Sequence, residues 1–467
     1  MKGGHVKQRL VTLVIGGVLL TGCAASVDSL SERDLTLAAK EGNPQAQYRY
    51  ARMLAARQDY PQAMTLMKQV GDKSILASVS SEQRGDAARQ VGDWYSAGLG
   101  EPRNEKLARV WWEKGSSLGN GEASYRLAQD CQQQHSGKLE TDCIDILETA
   151  AQQGHAPAQL ALAQWFADHE GAEQEGLEWL QKSADQQHPR ALWQLAQRYE
   201  TGAGVEKRSD MAQRLYFASA EKGYAPAQRW MGEHTSGKEA YGWYEKAANG
   251  NDAVAQRWMA ETWFTGRGVA RNDQTGAVWL QKAVNNNDPQ AQYLYSQRQS
   301  GDEAQELWLK RSAAGGYADA QYALAGRYAA RGEEKEARDI WAALAAKGDP
   351  QARLAYGEML RLGQGGKEDF AAAFKQYRLA ANAGNRMAQY RMGLLRQEGL
   401  GAPRNRIHAY AWFSLASTDG MKEALAALND LEAGMEPEEI NRAQKLAVIW
   451  SKRIAKADGN TDVERDA

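Results

Sequence analysis

The chain has 467 residues, with 57 Lys and Arg against 59 Asp and Glu, and therefore a formal charge of -2. This balance excludes a global electrostatic field that would drive binding to nucleic acid or to an anionic membrane surface. The hydrophobic content of 43% is ample for a folded protein, and the length suggests about three ordinary domains unless the chain is built from repeats.

The first 22 residues have the pattern of a secretory signal peptide. Three basic residues precede an apolar run over residues 10–20, which is too short for an ordinary membrane-spanning helix. The run ends in LTGC, at residues 20–23, which resembles the lipobox of bacterial lipoproteins. That resemblance implies lipidation of Cys23 as the first mature residue and, with Ala24 next to it, transfer to the outer membrane. An ordinary signal peptide with an incidental cysteine is the alternative.

From residue 36 to residue 420 the chain repeats one motif about eleven times. Each copy contains an alanine that we call the slot alanine, usually followed by Gln, and then a segment of the type W-L-Q-K-S-A. Apolar spacing after the slot alanine predicts one helix, helix A, and the tryptophan segment predicts a second, helix B. Prolines before the slot and glycines after the tryptophan segment mark the helix ends. The slot alanines are Ala46, Ala123, Ala158, Ala191, Ala227, Ala255, Ala291, Ala320, Ala352 and Ala388.

An optional insertion separates the two helices of some repeats. Slot alanines are 36 residues apart from Ala255 to Ala291, where FTGRGVARND at residues 264–273 joins the helices, but 28 apart from Ala227 to Ala255, where no such insertion occurs. Its glycines and arginines resemble a phosphate-binding loop. Such a loop follows a strand and occurs once. Because this insertion joins helices and recurs, the sequence predicts a turn.

These anchors resemble Sel1-like repeats, the bacterial relatives of tetratricopeptide repeats. The resemblance rests on A-Q-x-x-L-A-x-x-Y, G-x-G-V and A-x-x-W-x-x-K-A-A-x-x-G, in that order. It implies an all-α, right-handed superhelical solenoid with helix A on its inner curve. Stacking is also expected on physical grounds, because one helix pair cannot bury its apolar face alone. Residues 23–35 are predicted to be a lipid-anchored linker, 421–457 C-terminal capping helices and 458–467 a disordered tail.

The two other cysteines flank the turn of the third repeat. Cys131 is expected at the end of helix A and Cys143 at the start of helix B, within reach of each other. An oxidising periplasm favours a disulfide between them over two free thiols. A metal site formed by Cys131, His135 and Cys143 is the alternative, but no fourth ligand is evident.

An irregularity in repeats six and seven marks a candidate partner-binding surface. Other clear repeats place an apolar residue two positions after the slot alanine, whereas here Arg229 and Arg257 occupy this position and Trp230 and Trp258 follow. Guanidinium groups and aromatic faces on adjacent A helices suit a peptide strand or an acidic sugar. Alternatively, the helices rotate slightly and bury both tryptophans.

No catalytic arrangement is evident in the sequence. It lacks Gly-x-Ser-x-Gly, His-Glu-x-x-His and a phosphate loop in its strand-to-helix setting. The seven histidines do not cluster, and His155 and His188 are interpreted as polar residues of inter-repeat turns. We therefore predict no catalytic residue, no metal and no cofactor.

The architecture is similar to that of the alginate-export scaffold lipoproteins in size, lipidation and extent of the repeats. This similarity implies a non-enzymatic scaffold, anchored in the outer membrane, that binds periplasmic and outer-membrane proteins, including a β-barrel exporter of an exopolysaccharide complex. One alternative is an adaptor that brings a periplasmic protease or peptidoglycan enzyme to its substrate. Another is direct binding of an acidic polysaccharide. Nucleic acid is not expected as a partner.

Overall fold

The computed structural model describes residues 27–72, 79–169, 171–418 and 420–463. The predicted signal peptide and the lipidation site Cys23 lie outside these residues. The described residues form one 3-10 turn, Val27–Ser29, and 25 α-helices, with no strand. None of these helices combines the length and the apolar composition that a membrane crossing requires.

The helices are numbered in chain order. They are α1 (Glu32–Lys40), α2 (Pro44–Ala56), α3 (Tyr60–Asp72), α4 (Ser81–Ala97), α5 (Glu105–Ser117), α6 (Gly121–Gln134), α7 (Thr141–Gln152), α8 (Ala156–Ala167), α9 (Glu173–Asp185), α10 (Pro189–Thr201), α11 (Ser209–Glu221), α12 (Ala225–His234), α13 (Gly237–Asn249), α14 (Ala253–Thr265), α15 (Asp273–Asn285), α16 (Pro289–Ser296), α17 (Asp302–Ala314), α18 (Ala318–Ala330), α19 (Glu334–Ala346), α20 (Pro350–Leu362), α21 (Phe370–Asn382), α22 (Arg386–Glu398), α23 (Arg406–Ser417), α24 (Lys422–Glu432) and α25 (Pro437–Val463).

Helices α2 to α23 form eleven consecutive A–B pairs, numbered here as repeats one to eleven. Every predicted slot alanine lies on a helix A and is fully buried. The second repeat, α4 and α5, uses Ala87 in the slot, followed by Ala88 in place of Gln, and no slot alanine was predicted there. The predicted all-α solenoid of helix-turn-helix repeats is confirmed.

The chain divides into two compact units, one ending at Met231 and the other beginning at Gly232, within α12. Inside each unit, helices pack mainly against their neighbours in the chain. Their cores combine the slot alanines with larger side chains, such as Met67 and Trp94 in the first unit and Tyr377 and Met392 in the second. This is the packing that a repeat array requires, because each helix pair is covered by its neighbours.

The Ala-Gln pair has two hydrogen-bonding roles at most of the repeat junctions where it occurs. The glutamine Nε2 donates to the carbonyl oxygen eight residues earlier, which lies in the last turn of the preceding helix B. Gln159 bonds in this way to Ala151 at 3.0 Å and Gln389 to Ala381 at 3.2 Å. Each of these carbonyls also accepts a backbone N–H from the turn after helix B, so the glutamine gives a buried acceptor a second partner and joins two repeats.

A second bond fixes the start of helix A. In eight of the repeats the side chain of the residue three before the slot alanine accepts a hydrogen bond from the slot N–H, as an N-cap does. His155 and His188 are two of these N-caps, each accepting through Nδ1, at 3.2 and 3.3 Å. The other such residues are Asn43, Asn120, Asp252, Asp288, Asp349 and Asn385.

Helices α24 and α25 pack against α23 of the last repeat. Trp450 of α25 lies 4.4 Å from Trp412 between ring centroids, and Ala443 joins the apolar cluster around Phe413. Helix α25 continues to Val463, beyond the predicted end at residue 457. The segment after residue 457 contains no proline, and adding residues to an existing helix costs far less than starting one.

Candidate functional site

The second glycine of the inserted loop usually packs against the preceding repeat. A methyl group added at Gly100 would lie 2.9 Å from the backbone carbonyl of Tyr60, at the start of the preceding helix B. Methyl groups at Gly365 and Gly401 would lie still closer to the backbone at Glu334 and Phe370. Glycine is therefore required there both by a positive φ and by a close backbone approach.

This contact is missing in repeat seven. A methyl group at Gly268 would find no neighbouring atom within 4 Å, and the equivalent position in repeat five, Gly204, reaches only the end of the Leu177 side chain, at 4.0 Å. Repeat six has no insertion between its helices, since only Thr235 and Ser236 connect α12 to α13. The space beside Gly268 is an open groove of about 790 Å³.

We call this space the aromatic groove. Its floor is formed by aromatic side chains of α13 and α14. Its walls are the α12–α13 turn on one side and the Gly-x-Gly loop on the other. The lining residues are Gly232, Glu233, Thr235, Ser236, Gly237, Lys238, Ala240, Tyr241, Tyr244, Trp258, Arg267, Gly268 and Val269, all in the second unit.

The floor is held by a face-to-face contact between Tyr244 and Trp258. Their ring centroids are 4.0 Å apart and the planes are inclined by 10°, while Tyr241 meets Trp258 edge-on at 6.2 Å. A methyl group at Gly232 would lie 2.8 Å from the Tyr244 ring, so glycine at this position makes room for the stack. Tyr244 is buried, and Trp258 and Tyr241 are half-buried with surface left facing the groove.

Cationic groups lie at the rim of the aromatic groove. Lys238 and Arg267 are exposed on opposite walls, and Glu233 adds one acidic group. Ser236 is the N-cap of α13, and its side chain makes no capping bond. The N-terminus of α13, which carries the positive end of the helix dipole, therefore lies in the wall of the groove without a side-chain cap. Burial, followed by the negative charge of Glu245, raises the pKa of the Tyr241 hydroxyl, which therefore stays protonated. The groove thus offers aromatic faces and positive charge together.

The predicted Arg and Trp candidates divide between the two units. Arg229 and Trp230 belong to the first unit, whereas Arg257 and Trp258 belong to the second. Trp230 stacks on Tyr216 at 4.3 Å, just as Trp258 stacks on Tyr244, so each tryptophan packs against the preceding helix B. Of the four candidates, only Trp258 lines the aromatic groove.

Arg257 is engaged in a structural contact. Its guanidinium donates to Asp288 at 3.1 Å and to Glu261 at 3.2 Å, and its side chain is only 16% exposed. Asp288 is also the N-cap of α16, since it accepts from the Ala291 N–H at 2.6 Å. Arg257 therefore ties α14 to the start of the next repeat.

The sequence pattern drew attention to the arginines of FTGRGVARND, which include Arg267, but not to Lys238, Tyr241 or Tyr244. The available signal in the sequence was the short interval between Ala227 and Ala255. It indicates that repeat six lacks the inserted loop that repeat seven has. Tyr244 in the segment YGWYEK was a second signal, because repeat five has Tyr216 at the same position of its helix B.

Cys131 and Cys143 form a disulfide bond, with their Cα atoms 5.5 Å apart. The bond joins the end of α6 to the start of α7, which are the two helices of repeat three. His135 and Asp142 lie beside it, with His135 Nε2 3.5 Å from Asp142 Oδ2. The structure thus places a carboxylate next to the three residues considered as metal ligands from the sequence.

A family model described as Sel1 repeat matches seven segments of the chain, together about half of its length. These are residues 85–120, 156–188, 189–224, 235–252, 253–288, 350–385 and 386–421. An uncharacterized protein of Neisseria meningitidis serogroup B is 26% identical over 342 residues, which cover 72% of this chain and 58% of that protein. Chitin synthase regulatory factor 3 of Schizosaccharomyces pombe is 26% identical over 243 residues, which cover 47% of this chain and 26% of that factor. The chain therefore spans less than two thirds of either relative.

Among solved structures, a protective antigen of uropathogenic Escherichia coli that displays an SLR fold is similar over 92% of this chain and 97% of its own. The TM-score is 0.68 and the sequence identity 22%. A Sel1 repeat protein from Oxalobacter formigenes matches 51% of this chain and 99% of its own, with a TM-score of 0.44 and 23% identity. At 22% identity, the structural similarity to the antigen supports the fold of this chain alone.

Proposed function

Since this chain is a Sel1-like repeat protein, we propose that it is a scaffold that binds protein partners on the periplasmic side of the bacterial outer membrane. The Sel1 and tetratricopeptide type of repeat fold typically serves protein–protein interaction. In this proposal Cys23 carries the lipid anchor, and the partners are envelope proteins of an exopolysaccharide synthesis and export complex, including its outer-membrane β-barrel.

The observation that carries the proposal is the aromatic groove between the α12–α13 turn and the loop of repeat seven. Most of the loop glycines considered above are packed on the preceding repeat, whereas Gly268 leaves aromatic and cationic side chains accessible. Partly exposed Trp and Tyr rings beside Arg are the residue types that dominate binding energy at protein interfaces. The name of one relative, a chitin synthase regulatory factor, supports a connection with polysaccharide synthesis.

Photo-crosslinking in the native envelope tests the proposal. A photoreactive residue at Ser236, an exposed groove position whose side chain makes no capping bond, should yield an adduct with an outer-membrane protein. The same residue at Ala203, exposed in the corresponding loop of repeat five, is the matched control. Equal adducts at both positions, or none at Ser236, would contradict a partner site in the groove.

Direct binding of an acidic polysaccharide is the second candidate function. The stacked Tyr244 and Trp258 rings offer a flat apolar face, and Lys238 and Arg267 lie where carboxylates of a sugar chain could pair with them. Affinity electrophoresis through a polyuronate gel separates this function from protein binding. Retardation that Trp258→Ala abolishes would favour the polysaccharide, and unchanged migration would exclude it.

A further inference from the structure

Four potential metal ligands converge at the helix turn of repeat three. Sγ of Cys131 and Cys143, a ring nitrogen of His135 and a carboxylate oxygen of Asp142 all lie within 4.8 Å of one another. Cys131 Sγ is 3.8 Å from Asp142 Oδ2, and His135 Nε2 is 3.5 Å from the same oxygen. Two sulfurs, one imidazole nitrogen and one carboxylate are a donor set that Zn²⁺ accepts in tetrahedral sites.

The turn that carries Cys131 and His135 is held by hydrogen bonds that do not involve the sulfurs. The His135 N–H donates to the Cys131 carbonyl at 3.2 Å. The side-chain amide of Gln132 donates from Nε2 to the backbone carbonyl of Gly137 at 2.8 Å. The Gly137 N–H in turn donates to the backbone carbonyl of Gln132, also at 2.8 Å. Cys143 is fully buried at the start of α7, beside the apolar cluster of Ile144 and Leu147. These bonds do not depend on the sulfur–sulfur bond.

We propose that this cluster has two chemical states, a disulfide and a dithiol that binds Zn²⁺. An external dithiol reduces the bond by thiol–disulfide exchange: it supplies two electrons and two protons, the Cys131–Cys143 bond breaks, and the donor becomes a disulfide. Zn²⁺ then displaces the two thiol protons and binds both thiolates, His135 and Asp142. This site is independent of the aromatic groove and of the scaffold function proposed above.

The geometry fits both states without a change in the backbone. Two thiolates at about 2.3 Å from a tetrahedral Zn²⁺ are about 3.8 Å apart, so the sulfurs need only separate by rotation of their side chains. The Cα separation of 5.5 Å can remain. The side chains of His135 and Asp142 are 43% and 66% exposed, so both are accessible to the metal. Cys143 is fully buried, and the partly buried Cys131 is the sulfur that a reductant reaches.

Metal titration of the purified protein tests the proposal. The protein is reduced with a phosphine, desalted without oxygen and titrated with Zn²⁺ in competition with a chromophoric chelator. Co²⁺ is titrated in parallel to detect thiolate-to-metal charge transfer. We expect one equivalent of Zn²⁺ per reduced chain and none per oxidised chain. His135→Ala should weaken binding by more than the roughly tenfold that loss of an outer-shell partner costs.

The controls separate this site from loss of structure and from adventitious binding. His135→Ala and Asp142→Ala leave both cysteines in place, so their folding is checked by circular dichroism in the oxidised state. His169→Ala removes an exposed histidine of repeat four and should leave Zn²⁺ affinity unchanged. The proposal is overturned if the reduced protein binds no more Zn²⁺ than the Cys131→Ser/Cys143→Ser variant. It is equally overturned if His135→Ala binds as tightly as the unmodified chain.

Discussion

Gln256 donates a hydrogen bond from its Nε2 to the carbonyl oxygen of Ala248, at 3.0 Å. Ala248 lies at the end of α13, and Gln256 is fully buried on α14, so the bond joins two successive repeats of the second unit. The Gln256 Oε1 also accepts from Asn286 Nδ2 at 2.8 Å, which brings in the end of α15. One side-chain amide therefore connects three helices.

Replacing Gln256 by Met should destabilise the second unit. Met has a similar volume but cannot donate to the buried Ala248 carbonyl, which keeps its backbone donor, the Asn251 N–H, and cannot accept from the exposed Asn286. We expect a loss of about 1 to 3 kcal/mol in the free energy of unfolding, measured as a shift of the urea midpoint. Gln274→Met, on the exposed face of α15, is the matched control and should change stability by less than about 0.5 kcal/mol. Equal effects of the two changes would refute the role of the amide.

The repeat architecture was predictable because many copies carry the same signal. Slot alanines, prolines and tryptophans recur in the same order in many copies, so an exception in one copy does not hide the pattern. The slot Ala87 was not selected, although Ala123, Ala191 and Ala352, which also lack the following Gln, were. The N-cap role of His155 and His188 was within reach of the sequence, because Asn or Asp stands three residues before the slot in other repeats.

The aromatic groove was not predictable, because it results from the contact that the loop of repeat seven does not make with repeat six. The short interval between Ala227 and Ala255 was visible, but its consequence for Gly268 depends on how neighbouring repeats are spaced. Arg257 was selected for its unusual position, and its partner Asp288 lies 31 residues further along the chain. The periodicity of the repeats does not predict such ion pairs between side chains of different repeats.

Alanine substitutions at equivalent loop glycines should differ in cost. Gly401 and Gly268 both have positive φ values, 68° and 78°, so Ala is strained at either position. At Gly401 the added methyl group would also collide with the backbone of Phe370, whereas at Gly268 it would meet open space. We expect Gly268→Ala to cost about 1 kcal/mol and Gly401→Ala at least about 2 kcal/mol more, measured by urea unfolding. A similar loss in both variants would mean that the loop of repeat seven is packed like the loop of repeat eleven.

The His188 N-cap should make stability depend on pH. Burial, followed by the positive charges of His155 and Arg190, lowers the pKa of His188 in the folded state below its ordinary value of 6.5. The neutral ring accepts from the Ala191 N–H through Nδ1, and protonation of Nδ1 removes this acceptor. The contribution is therefore complete above pH 6.5 and is lost as the pH falls through the lower pKa of the folded state, with a cost of about 1 kcal/mol.

His188→Asn isolates this effect. Asn already serves as the cap at Asn43, Asn120 and Asn385, and its acceptor oxygen does not titrate in this range. Urea midpoints at pH 7.5 and 5.5 should fall further for the unmodified protein than for the variant. The same decrease in both proteins would assign the acid sensitivity to other groups.

Cys23→Ser tests the proposed lipid anchor. The thiol of Cys23 is the expected site of lipidation, and serine at this position lacks the nucleophilic sulfur. Labelled palmitate should therefore be incorporated into the unmodified protein and absent from the variant, and the variant should leave the outer-membrane fraction. The Cys131→Ser/Cys143→Ser variant should keep its label. Palmitate in the Cys23→Ser protein would contradict this site.

Reversing a charge at the rim of the aromatic groove should weaken partner binding without loss of fold. Arg267 is exposed and lines the groove, so Arg267→Glu changes the charge that a partner meets and removes no buried contact. We expect the adduct from the photoreactive residue at Ser236 to decrease about fivefold or more, which corresponds to about 1 kcal/mol, while the urea midpoint stays unchanged. Lys207→Glu, in the equivalent loop of repeat five, is the matched control and should leave the adduct at its normal level.

Trp258 distinguishes a binding role from a packing role at the same site. Trp258→Ala removes the ring that stacks on Tyr244 and should lower both stability and adduct yield, whereas Trp258→Phe keeps an aromatic ring on the groove floor. If Trp258 contacts the partner, the Phe variant should fold normally and still lose part of the adduct, because the smaller ring offers less contact area. If the Phe variant keeps the full adduct while Arg267→Glu loses it, the partner is held by the charged rim and the stack serves the fold alone. If neither variant changes the adduct, the partner does not bind in the groove.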